Sequence, residues 1–334
     1  MEIKEGIEKV IRKEDLTAEE MKGVMAQIMR GETTSAQKGG FLIGLKAKGE
    51  TADELLGAVQ ALRDCMTKVN IENNENLIDT CGTGGDGGKT FNISTAVAII
   101  AASGDAKIAK HGNRAVSSKS GSLDVLNELG IKTDYSKEES EKIIEEKGMS
   151  FLAAPKYNAG MKNVGKERGE LGTRTIFNML GPLLNPAPLT GQLLGVYDAS
   201  LSETVAKVLL DLGLDRAMVV HGNDGLDELT TTTTSTVCEL KDGKLETYTF
   251  DPTKYGFKIA KLSDIEGGTP KENAGIIVGI LKGEKGPKRD IVVLNAGAAL
   301  YVSKITDTLE DGIKLAEELI DSGKALEKYN ELKC

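Results

Sequence analysis

The chain is poor in aromatic side chains. Its 334 residues include no tryptophan, and aromatic residues make up only 4%. A stacking platform for single-stranded nucleic acid needs such side chains, so the composition argues against that kind of partner. The net charge of −9 argues in the same direction, because general nucleic-acid binders are basic. We therefore expect no nucleic-acid partner.

Cysteines and long apolar runs are also scarce. The four cysteines are Cys65, Cys81, Cys238 and Cys334, and their spacing does not match that of metal sites. No apolar run approaches the length of a membrane span. The charged opening M-E-I-K-E is unlike a secretory signal. We expect reduced thiols, no membrane partner and a cytoplasmic location.

The first 70 residues predict helices only. Capping boxes at Thr17 to Glu20 and at Thr51 to Glu54 each open an amphipathic stretch. Gly39-Gly40, inside a third helix, predicts close helix packing. These helices need an apolar partner surface, supplied either by a second copy of the chain or by other parts of the same chain.

From about residue 75 the pattern alternates between strand, loop and helix. Strands are predicted at Leu77–Asp79, Ala106–Ala109, Gln192–Val196, Ala217–Val220 and Ile291–Leu294. Such alternation is typical of a parallel sheet covered by helices. Thr230 to Thr236 predicts a polar turn that enters an antiparallel hairpin.

The predicted fold class is therefore α/β. A small all-helical N-terminal domain joins a larger α/β domain with a mainly parallel central sheet. Residues 1–70 form the helical domain, joined by an inserted helical segment at about 160–188 that is expected to pack on it. Residues 71–159 and 189–334 form the α/β domain.

A glycine-rich loop follows the first predicted strand. From Asp79 to Thr95 the chain reads D-T-C-G-T-G-G-D-G-G-K-T-F-N-I-S-T. Glycines allow backbone N–H groups to converge on an anion, and the helix that follows adds the positive end of its dipole. A simple tight turn, with Asn92, Ser94 and Thr95 as helix-capping residues, is the alternative.

Two nucleotide-binding motifs fit this loop poorly. Gly82, Gly84 and Gly87 match the dinucleotide pattern, but that fold needs an acidic residue at the end of the second strand. Lys110-His111 stands there instead, which disfavours a dehydrogenase. The P-loop pattern fails because Thr83 occupies a position that requires glycine.

A second loop, from Lys110 to Ser122, is dense in cations and hydroxyls. It reads K-H-G-N-R-A-V-S-S-K-S-G-S and ends where a helix begins. A cationic loop that leads into a helix favours phosphate, although a solvated basic loop has the same composition. Two such loops in succession indicate a ligand with two separated phosphate groups.

An acidic loop follows a later strand. Asp224, Asp227 and Glu228 lie where open α/β sheets bind ligands. Adjacent carboxylates suit Mg²⁺ held against a diphosphate, whereas a solvated acidic turn is the alternative.

Together these motifs resemble the anthranilate phosphoribosyltransferase family over essentially the whole chain. They are Gly82 to Asp86, Asn92 to Thr95, Lys110 to Ser122, Arg174 to Pro186 and Asp224 to Glu228. The resemblance implies transfer of the 5-phosphoribosyl group from phosphoribosyl pyrophosphate to the amine of anthranilate, in tryptophan biosynthesis. It also implies a homodimer paired through the helical domains, with anthranilate synthase components as further partners.

The resemblance also implies site residues. Phosphoribosyl pyrophosphate would be bound by Gly82, Gly85, Asp86, Thr90, Asn92, Ile93, Ser94, Thr95, Lys110, His111, Gly112, Asn113, Arg114, Ala115, Val116, Ser117, Ser118 and Ser122. Anthranilate would contact Gly82, Asn113 and Arg168, and Mg²⁺ would be held by Ser94, Asp227 and Glu228. Lys110, Asp227 and Glu228 are the expected catalytic residues.

One position departs from the family pattern. The family commonly has histidine after the tyrosine of A-P-K-Y, whereas this chain has Asn158, which affects the expected outer contact of anthranilate. Two other functions fit the sequence less well. A nucleoside phosphorylase of similar fold is disfavoured by the acidic pair, since that reaction needs no Mg²⁺–diphosphate clamp. A non-catalytic binding paralogue is disfavoured by the charge and the complete set of loops.

Overall fold

The computed structural model describes residues 1–84, 90–113 and 120–333. Four helices come first: α1 (Ile3–Ile11), α2 (Ala18–Arg30), α3 (Ser35–Lys48) and α4 (Ala52–Cys65). The hydroxyls of Thr17 and Thr51 accept hydrogen bonds from the Glu20 and Glu54 backbone, which confirms both capping boxes.

Close helix packing occurs in this bundle, but within the chain it does not lie at Gly39-Gly40, where it was predicted. A Cβ added at either glycine would meet nothing within 4 Å. A Cβ at Gly44 would lie 2.7 Å from the Val10 side chain, and one at Gly57 would lie 2.2 Å from the Ala18 carbonyl oxygen. Helix α3 therefore approaches α1 at Gly44, and α4 approaches α2 at Gly57.

The described residues of the second region form a seven-stranded sheet. Its strands are β1 (Leu77–Gly82), β2 (Lys107–Gly112), β3 (Met149–Ala153), β4 (Gly191–Gly195), β5 (Arg216–Gly222), β6 (Ser235–Lys241) and β7 (Lys244–Phe250). Their order is β3-β2-β1-β4-β5-β6-β7, and only the pairings of β6 with β5 and with β7 are antiparallel. The predicted strands near residues 77, 106, 192 and 217 are confirmed, as is the hairpin after the threonine run.

Eleven further helices lie among the described residues. They are α5 (Ile93–Ser103), α6 (Ser122–Glu128), α7 (Lys137–Lys147), α8 (Ala154–Tyr157), α9 (Lys162–Leu171), α10 (Phe177–Leu183), α11 (Ser202–Asp211), α12 (Pro270–Leu281), α13 (Pro287–Val302), α14 (Leu309–Asp321) and α15 (Lys324–Leu332). The predicted strand at Ile291–Leu294 is wrong, because these residues lie inside α13. Every residue from 291 to 302 is buried, so the run shows no amphipathic periodicity. None of the described helices is long and apolar enough to cross a membrane.

The segment at 160–188 packs on the N-terminal helices, as expected. Helix α9 contacts α2 and α3, and α10 contacts α4. The buried Lys38 ammonium anchors the contact, lying 2.5 Å from the Asn163 carbonyl oxygen and 3.1 Å from a Glu167 carboxylate oxygen. Val164 and Phe177 belong to the same apolar cluster as the bundle and one face of β4 and β5. Other parts of the same chain thus supply an apolar surface for the bundle.

Candidate active site

Four parallel strands end in glycine at one edge of the sheet. These residues are Gly82, Gly112, Gly195 and Gly222, at the ends of β1, β2, β4 and β5. A Cβ on Gly82 would lie 2.2 Å from Oδ2 of Asp227, and one on Gly195 would lie 1.6 Å from its backbone oxygen. The acidic loop therefore lies directly on the ends of β1 and β4, where open α/β sheets bind ligands.

The start of the glycine loop is joined to this acidic loop. The Gly84 amide donates to Oδ2 of Asp227 at 2.7 Å. The Thr83 amide donates to the Gly195 carbonyl oxygen at 2.9 Å, and its hydroxyl accepts from the Tyr197 amide at 3.0 Å. Backbone hydrogen bonds thus fix where the chain leaves β1, and the Asp227 carboxylate faces the glycine loop.

The three acidic residues of this loop differ in their surroundings. Asp224 accepts hydrogen bonds from the Leu226 amide and from the hydroxyls of Thr230 and Thr232. It therefore holds the buried start of the threonine turn. Asp227, at the ends of β1 and β4, and the adjacent Glu228 are half-buried.

A residue on α13 fixes the chain immediately after Glu228. The Leu229 amide donates to Oδ1 of Asn295 at 3.0 Å, and Nδ2 of Asn295 donates back to the Leu229 carbonyl oxygen at 2.8 Å. Asn295 is fully buried. The sequence prediction missed it, because it lies next to the run that was taken for a strand. A polar residue inside such an apolar run was the available signal.

The oxygen donors at this edge suit a hard divalent cation. Among the described residues, no cluster of three or more His, Cys, Asp or Glu side chains could hold a metal. Two adjacent carboxylates, Asp227 and Glu228, fit the way Mg²⁺ is usually bound, with substrate phosphates and water completing its coordination. Ser94 lies at the start of α5, where its hydroxyl accepts from the Lys110 ammonium at 3.2 Å.

Lys110, near the carboxyl end of β2, is buried, with 1% of its surface exposed. Besides contacting Ser94, its ammonium donates to the Thr80 carbonyl oxygen at 2.5 Å. The side chain therefore reaches from β2 across β1 to the first turn of α5. It orders that turn and adds a fixed positive charge behind the expected phosphate site.

The two predicted phosphate loops are joined where each ends. Nδ2 of Asn92 donates to the Ser120 carbonyl oxygen at 3.3 Å, and the Ser120 hydroxyl donates to Oδ1 of Asn92 at 3.1 Å. Nδ2 of Asn273, in α12, also donates to Oδ1 of Asn92, at 3.0 Å. A change in the position of one loop end must therefore move the other.

Several predicted phosphate-site residues make contacts within the protein. Ile93 and Thr95 are buried in the first turn of α5, and Thr90 forms a backbone bridge with Glu266. Ser122 approaches the end of β2, since a Cβ on Gly112 would lie 3.2 Å from its hydroxyl oxygen. The predicted residues Gly85, Asp86, Arg114, Ala115, Val116, Ser117 and Ser118 lie outside the described residues.

The side chains of His111 and Asn158 meet on the face of β2 that is opposite to Lys110. Nδ2 of Asn158 lies 3.3 Å from Nε2 of His111, and Oδ1 of Asn158 has no hydrogen-bond partner among the described residues. Burial lowers the pKa of His111 to about 4, opposed by a hydrogen bond with the Gly181 backbone. His111 is therefore neutral at pH 7, and the asparagine at the departing position can donate to its Nε2. Asn113 follows at the exposed end of the strand.

Arg168 lies on α9, within the inserted helical segment. Its guanidinium carbon lies 5.4 Å from the centre of the Phe177 ring, a cation–π distance. Burial lowers the pKa of Arg168, and within residues 1–84, 90–113 and 120–333 its side chain makes no ion pair. A half-buried guanidinium next to an aromatic ring is suited to an aromatic carboxylate.

A buried carboxylate beneath the site was also missed. Asp79 is fully buried in β1 and accepts hydrogen bonds from the His111 amide at 3.3 Å and from Nδ2 of Asn185 at 2.8 Å. Burial raises its pKa, whereas Lys110 and these hydrogen bonds lower it. Asn185 also donates to the Ala109 carbonyl oxygen at 2.7 Å. Both residues were present in the sequence motifs, but only the folded chain brings Asn185 to Asp79.

Family models match both regions of the chain. The glycosyl transferase family's a/b domain matches residues 74–326, and its helical bundle domain matches residues 4–66. The anthranilate phosphoribosyltransferase of Clostridium beijerinckii is 66% identical over 332 residues, which cover 99% of this chain and 98% of the relative. This chain belongs to the anthranilate phosphoribosyltransferase family. The relative from Thermoanaerobacter sp. (strain X514) is 58% identical over 330 residues, covering 99% of this chain and 97% of its own length.

Solved structures of the anthranilate phosphoribosyltransferase family have the same fold. The enzyme from Thermus thermophilus matches with a TM-score of 0.92 and 39% identity, covering 98% of each chain. The Saccharomyces cerevisiae enzyme, solved in complex with PRPP and Mg, matches with a TM-score of 0.89 and 28% identity. That match covers 99% of this chain and 96% of the yeast chain. The predicted family and fold class are confirmed.

Proposed function

We propose that this chain transfers the 5-phosphoribosyl group of phosphoribosyl pyrophosphate to the amine of anthranilate, releasing pyrophosphate in tryptophan biosynthesis. The observation that carries this proposal is the packing of Asp227 on Gly82 and Gly195, with its carboxylate bonded to the Gly84 amide. It joins the acidic pair to the glycine loop at the carboxyl edge of a parallel sheet. Family membership supports the same reaction.

The proposed donor site spans both loops. Gly82, Thr90, Asn92 to Thr95, Lys110 to Asn113 and Ser122 would line it from the described residues. Gly85, Asp86 and Arg114 to Ser118 would complete it. Because Asn92 and Ser120 already bond to one another, both loop ends are held in place before the donor binds. Such preorganisation lowers the entropy lost in positioning the reacting carbon.

The proposed metal site consists of Asp227 and Glu228, with Ser94 as a further oxygen donor. When bound, Mg²⁺ would supply positive charge to the pyrophosphate leaving group. The Mg found with the yeast relative supports its use here. Lys110 contributes a buried charge and orders Ser94, so its proposed catalytic effect is electrostatic and acts through the first turn of α5.

The proposed acceptor site lies between the ends of β1 and β2 and the inserted helices. Arg168 would pair with the anthranilate carboxylate, and Gly82 and Asn113 would contact the aromatic acceptor. The amine of anthranilate attacks C1 of the ribose as the bond to pyrophosphate breaks, and the nitrogen then loses one proton to the solvent. His111 is neutral, and Arg168 carries the positive charge on this side, so orientation of the amine is the main contribution proposed here.

We also propose the domain division at residues 1–70 with 160–188, and 71–159 with 189–334. A homodimer through the helical domain is proposed as well. Helix α3 exposes Ala36, Gly40, Ile43 and Ala47, which repeat at helical spacing along one face. Sedimentation of the chain and of an Ile43→Glu variant tests the dimer: the variant should be monomeric, and a monomeric parent would refute it. The cytoplasmic location and the anthranilate synthase partner stay predictions.

Anthranilate fluorescence provides the direct test of the reaction. We expect its loss on addition of phosphoribosyl pyrophosphate, and only when Mg²⁺ is present. The matched control omits the donor but keeps Mg²⁺. Folded protein that consumes no anthranilate with the donor and Mg²⁺ would refute the proposed reaction.

A further inference from the structure

A groove of about 440 Å³ lies at the junction of the helical bundle and the sheet, away from the carboxyl edge. It is bordered by the end of α4, by residues 66–74 that lead into β1, and by residues 185–189 that lead into β4. Its volume is within the roughly 300–1,000 Å³ typical of small-molecule sites. The proposed reaction uses no part of this groove.

The groove walls are held together by hydrogen bonds. The Val69 amide donates to the Pro186 carbonyl oxygen at 3.0 Å, and Nδ2 of Asn74 donates to the Pro188 carbonyl oxygen at 2.9 Å. These bonds join the two segments that lead into the central strands. The cavity is therefore preformed, which reduces the cost of ordering it around a ligand.

The lining combines apolar walls with positive charge. Leu212, Leu214 and Pro186 contribute apolar surface, whereas Arg63 and Lys68 contribute the charged groups. Among the described residues that line the groove, none is acidic. The charged side chains of the lining are therefore all positive, which gives complementarity to an anion.

Arg63 is the decisive side chain. It is half-buried, and across residues 1–84, 90–113 and 120–333 its guanidinium has no ion pair or side-chain hydrogen bond. Burial lowers its pKa, and no carboxylate counteracts that effect. A partly desolvated guanidinium is costly unless an anion accompanies it.

We propose that this groove is an accessory binding site for a small organic anion with an apolar body. The carboxylate, or an equivalent anionic group, pairs with Arg63, and the apolar part lies against Leu212, Leu214 and Pro186. The fork of guanidinium donors suits bidentate recognition of a carboxylate.

The groove also borders the hydrogen bonds that join Asn185, Asp79 and His111 beneath the proposed acceptor site. Asn185 lines it, and its amide donates to both the Asp79 carboxylate and the Ala109 carbonyl oxygen. Asp79 in turn accepts from the His111 amide. A ligand in the groove thus lies two hydrogen bonds away from the backbone of His111.

Isothermal titration calorimetry with 4-phenylbutyrate tests the site, with 4-phenylbutyramide as the uncharged control. We expect one equivalent of the acid to bind, and the amide to bind more weakly by roughly tenfold, because it lacks the charge that Arg63 pairs with. Methyl NMR signals of Leu212 and Leu214 should shift during the titration. The assay does not depend on turnover, so it can fail while the proposed reaction holds.

Substitutions of three arginines test whether the acid binds in the groove. Arg63→Gln should weaken binding of the acid by roughly tenfold, whereas Arg12→Gln, the same change at an exposed arginine of the bundle, should leave it unchanged. Arg168→Ala should also leave it unchanged, because that residue belongs to the proposed acceptor site. Unchanged affinity in Arg63→Gln, loss of binding in Arg168→Ala, or no binding to the parent protein at millimolar concentration would each overturn the proposal. Thermal unfolding of each variant verifies that it is folded.

Discussion

Oδ2 of Asp227 lies 2.7 Å from the backbone nitrogen of Gly84, although 143 residues separate them in the chain. This contact joins the acidic loop after β5 to the glycine loop after β1. The Asp227 carboxylate and the Gly84 amide therefore lie together where the glycine loop leaves β1. A diphosphate and the cation that accompanies it need these two kinds of group.

Replacing this carboxylate should affect turnover more than folding. Asp227→Asn keeps an oxygen that can accept from the Gly84 amide but removes the charge. We expect kcat to fall by at least about 100-fold, as for loss of a principal electrostatic group, with an unchanged unfolding midpoint. Steady-state kinetics over a range of Mg²⁺ concentrations measure the effect.

The matched control is Asp242→Asn, in the exposed turn between β6 and β7, where a positive φ suits asparagine. It should behave like the parent protein. Adding Glu228→Gln to Asp227→Asn should abolish the remaining Mg²⁺ dependence. Near-normal turnover in that double variant would contradict the proposed metal site.

Gly195 should tolerate no side chain. A Cβ there would lie 1.6 Å from the Asp227 carbonyl oxygen, so the acidic loop must move away from β4. We expect Gly195→Ala to lose about 1–3 kcal/mol of stability or more, as in overpacked cores, and to lose turnover as well. Urea unfolding and steady-state kinetics are the measurements.

Gly275→Ala, in α12, is the control for this substitution. A Cβ there meets nothing within 4 Å, so alanine should stabilise the helix by up to about 1 kcal/mol. Equal stability and turnover in the two variants would show that the acidic loop does not depend on the glycine end of β4.

Arg168 is expected to act on one substrate only. Arg168→Ala should raise the KM for anthranilate by about tenfold or more, since it removes a charge-assisted hydrogen bond. The KM for phosphoribosyl pyrophosphate should change little. Lys166→Ala, at an exposed position on the same helix, is the control. If both KM values rose equally in Arg168→Ala, its assignment to the acceptor carboxylate would be wrong.

The buried His111 predicts a pH dependence of stability. Its pKa is about 4 in the folded chain, whereas that of an exposed histidine is 6.5. Between pH 4 and pH 6.5 the unfolded chain binds more protons than the folded chain does. The contribution of the neutral His111 to stability is therefore fully present above pH 6.5 and is lost as the pH falls towards 4. The full contribution is about 3 kcal/mol.

Unfolding free energies measured from pH 7 to pH 4 test this dependence. His111→Gln should show a shallower decline than the parent protein, because glutamine does not titrate. An NMR titration of the His111 ring should find it neutral throughout pH 5 to 8. Parallel stability profiles for the parent and the variant would contradict the buried, neutral imidazole.

Local patterns were sufficient to predict much of the fold. Thr17 and Thr51 cap helices through contacts three residues away, and the strands around residues 77 and 192 are short apolar runs next to turns. The run Ile291–Leu294 has the same appearance, yet it lies in a helix buried on every side, where periodicity carries no information.

The arrangement of the candidate site depends on contacts between distant residues. The sequence indicated that Asp227 and Lys110 belong to a phosphate site. It did not indicate that Lys110 is buried against Ser94, or that Asp79 lies beneath His111. Such pairs follow from strand order and register, which no local pattern specifies.

The two hydrogen bonds between Asn295 and the Leu229 backbone have a consequence for synthesis of the protein. Asn295, which holds the backbone next to Glu228, follows Leu229 by 66 residues. The ribosome therefore completes the acidic loop well before it makes the helix that fixes that loop. A nascent chain that has already formed β1, β4 and β5 should therefore remain inactive until α13 has emerged and Asn295 can bind the Leu229 backbone.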